Sequence, residues 1–171
     1  MRKSVKTLAR CALLAALGVV LNYLASALPL AGIAIVAVAG FLTAAAVIHA
    51  GLLQAFAVFG VTAALSLLLT AQNLNPALLY TAFLGYYPAL KSFLERKIRP
   101  TPLCWVIKLL LFNAVFALLF LISAQILLSQ LGTQLPWAAL QALGNIVFVV
   151  YDIGLSRLIG FYIRRVAIHV K

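Results

Sequence analysis

Phe83-Leu-Gly-Tyr-Tyr-Pro-Ala-Leu-Lys-Ser-Phe-Leu-Glu-Arg-Lys-Ile-Arg-Pro100 brings together an apolar run, a Gly/Pro break, paired tyrosines and a cationic cluster. It reads as a helix leaving a membrane. Gly85 and Pro88 both weaken a regular helix, Tyr86 and Tyr87 carry the amphipathic rings that favour a lipid-water boundary, and the charge from Lys91 to Arg99 lies beyond it. On this reading the stretch is a hinge or anchor at the basic end of a fourth helix, and the rest of the chain can be oriented from it.

The composition agrees. Of 171 residues, 66% are hydrophobic and 9% charged, and the mean hydropathy is +1.17, which places the chain among integral membrane proteins. The 13 Lys and Arg residues against 2 acids give a net charge of +11. On a soluble domain that excess would suggest nucleic acid as a partner. Here every basic residue falls in the N-terminal tail, between Lys91 and Lys108, or from Arg157 onward. The charge is therefore a topology signal with attraction to anionic lipid headgroups, and no nucleic-acid partner is expected.

A helix needs roughly 20 apolar residues to cross the hydrocarbon core. Cutting the chain at its polar and Pro/Gly breaks predicts an all-α membrane protein of six spans, about 8–28, 30–48, 51–70, 77–93, 103–128 and 138–163, forming one integral domain. The basic start and Ala25-Ser26-Ala27 resemble a signal peptide, but the first apolar run is long enough to be read as an uncleaved span. Six crossings put the tail, the loop after the fourth span and the C-terminus on one face, and that face holds all the Lys and Arg. The loops around Pro29, Asn73 and Thr133 hold none, so both termini are expected in the cytoplasm of a cell that inserts the chain in its inner membrane.

Acid–base or metal chemistry usually needs convergent carboxylates, histidines or cysteines. His49 and His169 stand alone, Cys11 and Cys104 are far apart, and Glu95 sits among cations, with Arg96 or Lys97 as its expected partners. The chain is read as no enzyme, with no metal site and no cofactor. No glycine-rich phosphate loop occurs, so any nucleotide-derived energy must come from elsewhere.

Asp152 is an acid inside a predicted span, a costly placement that normally implies a partner or a function. Lys108, Lys91 and Arg157 are the candidates for an ionic cluster with it. Two readings stay open: a clamp that holds helices in register, or a proton- or ligand-linked role. On the opposite face the polar side chains are uncharged. Asn22, Tyr23, Asn73, Asn75, Tyr80, Gln125, Gln141 and Asn145, with Gln134 nearby, suit recognition of a small, partly apolar substrate by a few directed hydrogen bonds. Small residues four apart, such as Ala12 and Ala16, Gly40 and Ala44, Gly60 and Ala64, or Ser156 and Gly160, predict close helix approach.

A basic tail running into Ala12-Leu-Leu-Ala-Ala16-Leu-Gly-Val-Val-Leu, followed by six short-looped helices, resembles the substrate-specific S components of energy-coupling factor (ECF) transporters. The resemblance implies a substrate-capture subunit for a vitamin-like molecule, energised by a transmembrane coupling subunit and ATPase subunits. It also implies that Ala12 and Ala16 face the coupling partner. A metal substrate is disfavoured because the face opposite the basic one lacks His, Asp and Glu. The competing readings are a self-contained secondary carrier using Asp152 and Lys108, and a non-transporting assembly or scaffold subunit.

Overall fold

Long apolar stretches without acids leave the backbone no partner but itself, and the chain forms helices throughout. The computed structural model describes residues 2–28, 31–98, 100–131 and 137–165, with side chains described for 5–28, 31–98, 100–118 and 138–165. The elements are α1 (Arg2–Ala27), α2 (Gly32–Ala50), α3 (Leu52–Leu69), α4 (Asn75–Leu79), a π-helical turn (Tyr80–Leu84), α5 (Tyr87–Lys97), α6 (Thr101–Leu131) and α7 (Trp137–Arg165). No strand occurs among the described residues. The fold is all-α, and five helices of the described chain are long and apolar enough to cross a membrane: Val5–Ala27, Gly32–Ala50, Leu52–Leu69, Thr101–Leu118 and Ala138–Arg165.

The exception is the fourth segment. Expected as one span over 77–93, it extends over Asn75–Lys97 and is broken into α4, the π turn, a Gly85-Tyr86 corner and α5. Pro76 lies in the first turn of α4, where a missing N–H costs nothing. Pro88 lies at the same tolerated place in α5 and cannot supply the N–H that a continuous helix would send to the Leu84 carbonyl. The chain before it takes up the mismatch: the Gly85 N–H reaches five residues back to the Tyr80 carbonyl at 2.8 Å, a π-type bond.

The split between α2 and α3 falls on a single residue. Gly51 has φ 100° and ψ 175°, a conformation open in practice only to glycine. Its N–H reaches both the Ala46 and Val47 carbonyls at 3.2 Å, closing α2, while its own carbonyl accepts from the Ala55 N–H at 3.1 Å and opens α3. One glycine thus turns the chain back on itself.

The helices group into two units, one built from α1 to α5 and the other from α6 and α7. In the first, α1, α2 and α3 pack pairwise and α5 lies chiefly on α2. Its core is small: Ala15, Ala46, Val47, Ala55, Val58 and Ala89 are buried together, so the backbones approach closely and dispersion holds them. Thr62 nests against Gly18, where an added Cβ would come within 2.9 Å of the Thr62 methyl. Of the small-residue pairs, Gly40 and Ala44 are buried. At Gly60 and Gly160 an added Cβ would meet nothing within 4 Å among the described residues. Ala12 and Ala16 are exposed, on a face of α1 that also presents Leu13 and Leu17.

Candidate functional site

Along α3, Thr62, Ser66 and Thr70 recur every four residues and so share one face, spanning about 12 Å of helix. All three are fully buried, as are Asn22 of α1, Thr43 of α2 and Tyr80 of the π turn. Each buried hydroxyl or amide needs a partner, and most find one across a helix boundary. Asn22 Nδ2 donates to Ser66 Oγ at 3.0 Å. Thr62 Oγ1 donates to the Ala15 carbonyl at 3.3 Å, and Thr70 Oγ1 to the Ser66 carbonyl at 2.8 Å. Thr43 Oγ1 and Tyr80 Oη lie 3.2 Å apart, with the Thr62 side chain beside the same phenol. The result is a neutral polar network joining α1, α2, α3 and the π turn.

The break in the fourth segment positions Tyr80. Its ring lies over Gly85, where a Cβ would come within 2.7 Å of Tyr80 Cε1 and Cζ and 2.8 Å of Phe59 Cδ2. Phe59 packs on Tyr80 with ring centroids 5.9 Å apart and on Tyr86 edge-on at 5.8 Å. The Gly85 and Pro88 break is thus the means by which a phenol is placed in the core. Two buried atoms of this unit have no hydrogen-bond partner, Asn22 Oδ1 and Thr81 Oγ1.

Of the loop amides, Asn73 makes local contacts. Asn73 Nδ2 donates to the Ser26 carbonyl at 3.0 Å, tying the α3–α4 loop to the end of α1, and Asn73 Oδ1 accepts from the Asn75 N–H at 3.4 Å. Tyr23 is 52% exposed.

In the second unit α6 and α7 run antiparallel with matched polar and aromatic layers. Lys108 Nζ sits 3.3 and 3.4 Å from the two Asp152 carboxylate oxygens, with both side chains only 3% exposed. Lys108 also lies 5.2 Å from the Trp105 ring centroid. One turn on, Phe112 stacks on Phe148 at 4.8 Å, and Gly144 leaves room for Phe112 and Phe116. Beyond them comes an amide layer: Asn113 and Asn145 exchange hydrogen bonds at 3.1 and 3.0 Å. Gln141 Nε2 adds a bond to Asn113 Oδ1 at 2.8 Å. The remaining N–H of Asn113 goes to the Leu109 carbonyl, and that of Asn145 to the Gln141 carbonyl, each at 2.8 Å. Asn145 is engaged at every polar atom, so the amides here act as glue between the two helices.

Of the ionic cluster expected around Asp152, the described contacts include the Lys108 pair. Lys91 is buried but forms an ion pair with Glu95 at 2.7 Å, one turn along α5. Glu95 thus has a partner other than the expected Arg96 or Lys97, since residues four apart share a helix face. Arg157 is exposed. The side chains of Gln125 and Gln134 lie outside the described residues. Cys11 and Cys104 are free thiols.

Thr43, Thr62, Ser66, Thr70 and Asn113 are absent from the polar residues singled out in the sequence. The four-residue spacing on α3 was the available signal for three of them. Comparison with protein-family models, with characterised proteins and with solved structures returns no match for this chain.

Proposed function

We propose that this chain is the substrate-capture membrane subunit of a small-molecule importer, energised by partner proteins, with both termini on the cytoplasmic side. The observation that carries the reading is the neutral network inside α1–α5 with Asn22 Oδ1 left open. A buried acceptor without a partner costs about 1–3 kcal/mol, a cost that a capture site recovers when a substrate supplies the missing donor. Substrate recognition is assigned to the first unit, whose buried network includes Asn22 and Tyr80. Ala12 and Ala16 are exposed on α1, as a docking face for a transmembrane coupling subunit requires.

The test is purification of the full chain in mild detergent from the cells that make it, with the intact assembly read by native mass spectrometry. Co-purifying ATPase subunits, a bound small molecule and no flux by the chain alone in liposomes are the expected results. A chain that assembles with nothing and holds nothing refutes the reading. The buried Lys108–Asp152 pair favours one competitor, a self-contained carrier. That reading requires flux in liposomes driven by an imposed ion gradient with no other protein present.

A further inference from the structure

The Asn22 amide presents its nitrogen to Ser66. With Nδ2 donating to Ser66 Oγ at 3.0 Å, the other end of the amide, Oδ1, is a buried acceptor with no partner, on a residue with no exposed surface. A carbonyl-type oxygen asks for an O–H or N–H donor. The buried polar side chains on α1, α2, α3 and the π turn are Asn22, Thr43, Thr62, Ser66, Thr70 and Tyr80, and none is charged. The buried cation of this unit, Lys91, is committed to Glu95.

An ionised ligand beside Asn22 would lose its hydration and meet only neutral dipoles, an unfavourable exchange. A neutral ligand with a hydroxyl or amide N–H would meet no such penalty and would satisfy the open oxygen. Thr81 Oγ1, next to Tyr80 in the π turn, is a second buried polar atom without a partner. Its place in the π turn matters because π-helical turns inside helices recur at functional sites.

Resting on the capture reading above, we infer that the captured molecule is uncharged and donates an O–H or N–H hydrogen bond to Asn22 Oδ1. Organic anions, organic cations and metal ions are excluded as the group that contacts Asn22. The network also contains its own control, because Ser66 binds only the nitrogen end of the amide. Removing Asn22 together with Ser66 deletes the site without leaving a new orphan, since Thr62 and Thr70 keep their own acceptors.

The experiment compares the full-length wild type with the combined Asn22→Leu and Ser66→Ala variant, both purified from the same host. The small molecules each retains are identified by mass spectrometry after denaturation, and thermal midpoints are measured after exhaustive washing. The expected results are a neutral, donor-bearing compound in the wild type, at least a tenfold loss of it in the variant, and a washed variant that melts no lower than the washed wild type. A compound retained equally by both proteins, or one that is ionised at neutral pH, overturns this inference and leaves the capture reading standing. A washed variant that melts clearly lower also overturns it, because Oδ1 is then satisfied by an integral water. A wild type that retains no compound overturns the capture reading itself. Asn22→Ala, which lacks Oδ1, is read by compound retention alone if the combined variant does not fold.

Discussion

Asp152→Asn and Lys108→Met give the sharpest test of what holds α6 to α7. The charged groups are 3.3 Å apart and nearly solvent-free. At an effective dielectric constant of about 20, unit charges at that distance attract by roughly 5 kcal/mol. Truncating one member of a buried pair costs about 3–5 kcal/mol, because the other charge is left behind. The two variants should not be equal. Asp152→Asn keeps an acceptor near Lys108, and the ammonium retains the Trp105 ring at 5.2 Å. Lys108→Met instead deprives a buried carboxylate of that cation, so it should be the worse of the two.

For a chain of this length 1 kcal/mol corresponds to about 2–4 °C in melting midpoint, so each single variant should melt roughly 10 °C lower in detergent. The combined Lys108→Met and Asp152→Leu variant has no charge to bury and should recover to within about 1 kcal/mol of the wild type. Fluorescence-detected size-exclusion after heating reads all four proteins. Single variants that melt with the wild type, or a double variant no better than the singles, would refute the argument that the two charges compensate each other. Ion-driven flux lost in a double variant that is fully folded would instead assign the pair to a carrier.

Gly85→Ala places a methyl 2.7 Å from the Tyr80 ring; overpacking costs about 1–3 kcal/mol, and a lowered midpoint together with increased tyrosine quenching by a polar quencher is expected. Gly51→Ala forces a side chain into φ 100° and should cost about 1–3 kcal/mol, whereas Gly60→Ala, which meets open space, should change the midpoint little when measured beside it. Asn145→Leu removes three bonds of the amide layer and strands Asn113 Oδ1 with fewer donors. It should destabilise by about 1–2 kcal/mol in the same melting assay, and a midpoint at or above wild type would show that the amides are not glue.

The all-α class and the apolar, membrane-length helices were legible because hydropathy is a local quantity. Runs of about 20 apolar residues, cut at His49–Gly51 and Pro100–Pro102, fall close to the ends of α2, α3 and α6, whereas α1 begins at Arg2, ahead of the expected residue 8. The fourth segment is the instructive departure. Gly85 and Pro88 announce a break, yet a linear reading places it at the end of the helix, while the irregularity begins upstream at Tyr80 because Pro88 withdraws a hydrogen bond from the preceding turn. Asp152 with Lys108 was legible as a candidate pair, since an acid in an apolar span demands a partner. Asn113 was not, because one amide among apolar residues looks the same whether it faces lipid or a neighbouring helix.

The amino-acid sequence by itself determined that the chain is helical, that it is built from apolar membrane-length segments, and that its basic residues collect at particular helix ends. These follow from composition and from the hydrogen-bonding demands of backbone in hydrocarbon, which act residue by residue. Tertiary structure alone decided which polar side chains meet. Asn145 was closed off by Asn113 and Gln141, and Asn22 was left with an open oxygen. Such pairings depend on the rotation and separation of helices about their axes, and those are set by packing among side chains distant in sequence, as at Gly18 with Thr62 and Gly85 with Tyr80.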